Sequence, residues 1–202
     1  MVKEYIEIEQ GSEEWAELRK GKLTGSNATC IGANGQGLKT YAKKIVLELL
    51  GVVKDEYYGD DMKRGDELEH IARMCYELEM GVEVYEVGCI TNSKHKQVLV
   101  SPDGLIGNDG GMEIKARNDE KHLSLILGET KEIPKNQIQM NLLISGRKWW
   151  DFVSYNPNFD KPLFVERIYP DLDYHKKLKE GFESGRELIG KYQKDYKNYK
   201  VK

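Results

Sequence analysis

Four short runs rich in branched residues crowd residues 82–117, namely VEVYEV, CITN, KQVLVS and GMEIKAR, and turn residues separate each from the next. That spacing commits the middle of the chain to a β-meander. Its last turn is marked by Asn108-Asp109-Gly110-Gly111, a strong hairpin signal. In the strand that follows, Met112, Ile114 and Ala116 form one apolar row, while Glu113, Lys115 and Arg117 point the other way. A charged row on one face of a strand is either wet or a site.

The flanks read as helices. Ser12 precedes EEWAELRK as an N-cap with two acids in the first turn, and Gly21 closes that helix. Thr24, Gly25 and Ser26 then stand at the mouth of another short helix, where free N–H groups and hydroxyls can grip an anion. Thr40 is expected to cap YAKKIVLELL, with Tyr41, Ile45 and Leu49 at helical spacing. In DDMKRGDELEHIARMCYELEMG the buried stripe is expected to be Leu68, Ile71, Ala72, Cys75 and Tyr76, with Glu69 on its border. After a polar loop, IPKNQIQMNLLIS reads as a helix, KWWDFVSY and LFVERIY as two strands, and residues 171–202 as a lysine-rich helical tail that frays into solvent. Trp149 and Trp150 are expected to anchor packing, although one of the two rings could stack on a base. The fold class is therefore mixed α/β or α+β, with one domain over residues 1–202.

Composition excludes several alternatives. At 202 residues and 39% hydrophobic content, the chain can bury one sizeable core. No apolar run reaches the length of about 20 residues that spans a bilayer. Met1-Val2-Lys3-Glu4 does not open a signal peptide, so a soluble, cytoplasmic protein is expected. Cys30, Cys75 and Cys89 are odd in number and lack C-x-x-C spacing, which argues against disulfides and structural zinc. The four histidines show no ligand spacing. A net charge of −3 neither advertises nor forbids a nucleic-acid partner, because acids crowd residues 55–79 while lysines dominate residues 176–202.

The charged face has a chemistry. KQVLVS is apolar on both faces, as in the middle of a covered sheet, and ends at Ser101-Pro102-Asp103. Folding GMEIKAR back against it brings Asp103 near Glu113, within the roughly 5–8 Å of cross-strand neighbours. Burying these charges is costly unless partners compensate, and a hard divalent cation suits carboxylates best. Asp103, Glu113 and the carbonyl of Ile114 can then ligate Mg²⁺, with Mn²⁺ as a substitute, while Lys115 orients or deprotonates a water that attacks phosphorus. The residues thus point to metal-assisted phosphodiester cleavage.

Pro102-Asp103, nine residues, then Glu113-Ile114-Lys115 resembles the PD-(D/E)xK core of restriction-endonuclease-like nucleases, in which a central mixed β-sheet is flanked by helices. More closely, the chain resembles the lambda-type phage exonucleases, also called alkaline or viral-recombinase exonucleases, through EQGSEEWAELRKGKLTGS, RGDELEHIAR, SPDGL with MEIK, and QIQM. The resemblance implies Asp103, Glu113 and Lys115 as the metal and water centre, Glu69 beside a second ion, and Gln137 in the catalytic pocket. It further implies that Arg19, Ser26 and Ser101 hold the 5′-terminal phosphate of linear double-stranded DNA. Also implied are 5′-to-3′ digestion releasing mononucleotides, a homotrimer, and phage recombination with a single-strand annealing protein that takes up the 3′ tail. Ala116-Arg117 depart from the Cys-Pro that often follows the lysine in that family. Gln139, two residues from Gln137, falls on a different helix face. The rival readings are a structure-specific or restriction-type endonuclease on the same core and a catalytically silent DNA-end-binding module.

Overall fold

A computed structural model describes residues 1–52 and 60–201, with nothing stated for the side chains of residues 60–66, so the Arg64 to Asp66 part of RGDELEHIAR lies outside the described residues. In chain order the elements are β1 (Val2–Tyr5), α1 (Glu13–Arg19), β2 (Leu23–Thr24), α2 (Ala28–Ala33), α3 (Gln36–Leu49), α4 (Asp60–Met80), β3 (Val84–Tyr85) and β4 (Cys89–Asn92). They continue as β5 (Val98–Val100), β6 (Gly104–Ile106), β7 (Gly110–Ala116), α5 (Asp119–Ile126), α6 (Lys135–Ser145), β8 (Trp149–Tyr155), β9 (Leu163–Ile168) and α7 (Leu172–Asn198). The strands form two mixed sheets, β1-β4-β5-β2 and β3-β6-β7-β8-β9, with helices around them.

The two sheets explain why the hairpin differs from its expected form. β7 pairs antiparallel with β6, Gly104 opposite Met112, and not with β5, which lies between β4 and β2 in the other sheet. A three-residue strand such as GLI carries no periodicity of its own and is fixed by its partners. Gly110 and Gly111 belong to β7, where the rings of Trp149 and Trp150 lie so close that a Cβ at either glycine would overlap them. Trp150 is fully buried, so it packs the core and cannot stack on a base.

Several helix boundaries shift. α1 is capped as expected, the Ser12 hydroxyl accepting from Trp15 N at 3.2 Å. α3 begins four residues before Thr40, which sits inside the helix and donates its hydroxyl to Gln36 O. Tyr41 and Ile45 are buried but Leu49 is exposed, and in α4 Ala72 and Tyr76 are buried while Ile71 is exposed. The polar loop after β7 contains α5, capped by the Asn118 side chain, which accepts from Lys121 N. The tail is docked: α7 buries Leu178, Phe182 and Ile189 against α2, α3 and α6. Gly181 allows the closest approach, since a Cβ there would stand 2.1 Å from the Ile31 carbonyl.

Candidate active site

The Ser101-Pro102-Asp103 turn leaves one sheet and enters the other. Gln10 pins it, its side-chain amide donating to Pro102 O at 2.8 Å and Val87 O at 2.9 Å. Asp103 Oδ2 accepts the backbone N–H of Ile114 at 2.6 Å, which holds the carboxylate across from β7. On β7 the apolar row, Met112 and Ile114, packs with Ala72 and Tyr76 of α4. On the opposite row Glu113 is fully buried, while Lys115 and Arg117 are partly exposed.

Three donors surround the Glu113 carboxylate. Lys115 Nζ stands 2.6 Å from Oε1, Gln137 Nε2 donates to the same oxygen at 2.5 Å, and Asn141 Nδ2 donates to Oε2 at 3.2 Å. Gln137 and Asn141 are four apart on α6 and so share one face. Gln139 turns elsewhere, donating to Tyr169 O and accepting Asp171 N. Asn141 is the member of this group that the motif did not include. Its amide oxygen also faces the other half of the site, since a Cβ at Gly25 would stand 3.2 Å from it.

Electrostatics mark the same spot. Burial, and then the charge of Asp103, pushes the Glu113 carboxyl up to about 7. The same two causes in the same order raise Glu69 to about 7, offset in part by Arg73 and Lys115. Burial works against the Lys115 ammonium, yet Glu113 and Asp103 hold its pKa above the ordinary lysine value. Glu69 therefore belongs to this electrostatic cluster; its carboxylate meets Arg73 at 3.3 Å, and Arg73 also pairs with Glu86. Glu69, Arg73, Glu86, Gln10 and Asp103 line a pocket of about 230 Å³. Among the described residues, no three His, Cys, Asp or Glu side chains stand together as a ready metal cage.

A second cluster adjoins the first. Arg19 Nη1 donates to Ser101 Oγ at 3.2 Å, and the guanidinium lies 4.1 Å from the centre of the Trp15 ring. Trp15 Nε1 contacts the same hydroxyl at 3.1 Å and donates to Gly88 O at 3.0 Å. β2 runs parallel to β5 with Thr24 beside Leu99, so the Gly25–Asn27 3-10 turn is carried alongside the end of β5. Ser26 Oγ lies 3.3 Å from Thr24 Oγ1, and Arg19 and Ser26 line a cleft of about 700 Å³ together with Lys20, Lys22 and Lys44. The structure thus gathers Lys115 and Gln137 around the Glu113 carboxylate and brings Asp103 within electrostatic reach of it, with Ile114 binding Asp103 through its backbone. It sets Arg19 against Ser101, and Arg19 shares its cleft with Ser26. His122 and His175 are buried, His95 is half-buried, His70 is exposed, and none of them lies on either cluster.

A YqaJ-like viral recombinase domain matches residues 14–148. The alkaline exonuclease LHK-Exo from Laribacter hongkongensis superimposes with a TM-score of 0.80 at 30% identity, covering 93% of this chain and 100% of that one. The same exonuclease in complex with dAMP gives 0.81 at 31% identity, with the same coverage. A phage related exonuclease from Haemophilus somnus 129PT shares the fold, with a TM-score of 0.63 at 14% identity, covering 95% of this chain and 92% of that one. Protein R354 of Acanthamoeba polyphaga mimivirus is 29% identical over 121 residues, or 55% of this chain, and the match spans only 21% of that longer protein. With a domain match over more than half its length, and over the segment that carries both clusters, the chain belongs to the YqaJ-like viral recombinase family, on the fold of the lambda-type alkaline exonucleases.

Proposed function

We propose that this protein is a Mg²⁺-dependent exonuclease that degrades one strand of linear double-stranded DNA from its 5′ end, releasing 5′-mononucleotides and leaving a 3′ single-stranded tail. The observation that carries the reading is Glu113: a fully buried carboxylate beside Asp103, braced by Lys115, Gln137 and Asn141. The likeness to an alkaline exonuclease along 93% of the chain supports it.

The donor set fits a hard cation. Mg²⁺ keeps several waters and takes only one or two carboxylates from protein, so Asp103, Glu113 and the Ile114 carbonyl suffice for one ion. Glu69 would serve a second. Carboxyls raised to about 7 by burial and by Asp103 are what a divalent charge relieves. When bound, the metal supplies Lewis-acid polarisation of a phosphoryl oxygen. Lys115, on the same face as Glu113, orients the attacking water and faces the charge that develops on phosphorus. Gln137 and Asn141 hold Glu113 still. The water oxygen bonds to phosphorus as the P–O3′ bond breaks. The 3′ oxygen leaves as the hydroxyl of the released nucleotide, and a new 5′-phosphate remains on the strand.

Arg19, Ser26 and Ser101 hold the terminal phosphate, which restricts cleavage to an end. The arginine fork matches phosphate oxygens, and the hydroxyls complete the anion site. A homotrimer encircling the duplex and a single-strand annealing protein that takes up the tail complete a role in phage recombination. The test is digestion of linear duplexes that differ only in a 5′-phosphate, with products resolved by size and Mg²⁺, Mn²⁺ or chelator present. Metal-dependent release of 5′-mononucleotides, faster from phosphorylated ends, supports the reading. Nicking of closed circular DNA would assign the site to an endonuclease, and binding without cleavage would make it an end-binding module.

A further inference from the structure

Glu113, Lys115 and Arg117 share one face of β7, and the chemistry above uses only the first two. Arg117 is placed as firmly as they are. Its backbone N–H donates to Tyr155 O at 3.2 Å and its carbonyl accepts from Asn156 Nδ2 at 3.1 Å. Pairing beside β8 therefore continues one residue past Ala116, and the alternation of faces carries through.

The side chain is half-buried at the rim of the acidic cluster. Nη2 donates to the Glu132 carbonyl at 2.5 Å, in the turn that leads into α6, and Glu113 lies within electrostatic reach. Nε, in contrast, is shielded from solvent and has no acceptor among the described residues. An orphaned donor of this kind costs about 1–3 kcal/mol and calls for a reason. Nearby carboxylates do not provide the acceptor. Both oxygens of Glu113 are engaged by Lys115, Gln137 and Asn141, and the Glu132 carboxylate faces Lys121 at 3.7 Å. A guanidinium anchored through Nη2 keeps its plane fixed, and Nη1, neither hydrogen-bonded nor shielded among the described residues, is the donor it turns to a phosphate.

We propose that Arg117 is a DNA-backbone contact: anchored on the Glu132 carbonyl, its guanidinium binds the phosphodiester next to the one being cleaved. The strand face then carries a carboxylate at 113, the water-orienting cation at 115 and a grip on the substrate at 117. This inference rests on the nuclease reading of the same site.

The experiment measures binding of a 5′-phosphorylated duplex over a range of KCl, with Ca²⁺ in place of Mg²⁺, for the wild type and for R117K, R117Q and R117A. R117Q retains a donor for the Glu132 carbonyl without the charge, so it separates a phosphate contact from a structural tie should R117A fold poorly. Each phosphate contact contributes about 0.7–0.9 to the slope of log K against log salt. R117Q and R117A should flatten the slope by about that amount and weaken binding roughly tenfold. R117K should keep the slope and lose part of the affinity. An unchanged slope in R117Q and R117A overturns the proposal and leaves Arg117 as a tie between β7 and the approach to α6. Loss of Mg²⁺-dependent cleavage in the wild type would instead overturn the nuclease reading, whatever the slopes.

Discussion

Replacing Asn141 tests whether the bracing of Glu113 is used. Asn141 is 1% exposed, and its amide donates to Glu113 Oε2 at 3.2 Å while its oxygen packs toward Gly25. Asn141→Ala removes a hydrogen bond to an ionisable acceptor, worth about 1.5–3 kcal/mol. Taking about 2 kcal/mol and about 2–4 °C per kcal/mol for a chain of this size, the melting temperature should fall by about 4–8 °C. Asn141→Leu fills the space without restoring the donor, so it should recover part of the stability and none of the bracing.

Activity is the sharper readout. A side chain that orients a metal ligand typically carries 10–100-fold in metal affinity or rate, and both variants should lose roughly that much in single-turnover digestion, with a higher Mg²⁺ requirement. Wild-type rates and Mg²⁺ dependence in both variants would show that Gln137 and Lys115 alone hold Glu113, and the reasoning about α6 would fail.

Three further outcomes follow from other parts of the molecule. Arg19→Ala should slow digestion of 5′-phosphorylated duplex far more than that of 5′-hydroxyl duplex, and an equal loss on both would reassign Arg19 to general backbone binding. Gly181→Ala places a Cβ 2.1 Å from the Ile31 carbonyl, a backbone atom that cannot swing aside, so denaturation should show a loss of about 1–3 kcal/mol; an unchanged midpoint would mean that α7 is not docked. Burial lowers the pKa of His122 and His175, so each binds its proton more readily in the unfolded chain and stabilises the fold above about 6.5, a contribution lost as pH falls below that value. Because Glu69 and Glu113 are raised and act in the opposite sense, the measurement is the difference between wild type and H175Q in urea unfolding: the variant should lose less stability on acidification, and parallel pH profiles would refute the assignment.

How far the sequence could be read depended on whether each signal was local. The Ser12 cap, the alternation in GMEIKAR and the helical spacing in α6 are local, and the structure carries all three. β6 is three residues long and too short to show a period, so the turn signal beside it points to the longer KQVLVS run; its hairpin with β7 is local, while its other partner, β3, lies beyond β4 and β5 in the chain. α5 did carry a signal, Asn118 before Asp119 and Glu120, but His122 and Leu125 give too short an apolar stripe to stand out. In α7 the lysines hide a stripe made of Leu178, Phe182 and Ile189 with two glycines. For the site, the face argument that separated Gln137 from Gln139 extends one turn to Asn141. A buried asparagine in an apolar run was the overlooked cue.

On the proposed function, Ser101 and Asp103 turn the two clusters into a ruler. Two residues of chain span at most about 7 Å, so the hydroxyl group beside Arg19 and the carboxylate beside Glu113 are held within the reach of a single nucleotide. Neither sheet could set this distance alone, since Ser101 follows β5 of one sheet and Asp103 precedes β6 of the other. Gln10 fixes the residue between them through Pro102 O, and Asn141 spans from Glu113 to Gly25 beside Ser26. If a terminal phosphate occupies the Arg19 cluster, the bond presented to Asp103 and Glu113 is the next phosphodiester along, which is why mononucleotides are the product to expect. Gln10→Ala leaves every charged group in place and loosens only the ruler. It should therefore keep metal and DNA affinity while the products broaden from mononucleotides to include dinucleotides. Unbroadened products from a slowed enzyme would mean that the spacing is set by the sheets themselves, and that Gln10 acts on rate alone.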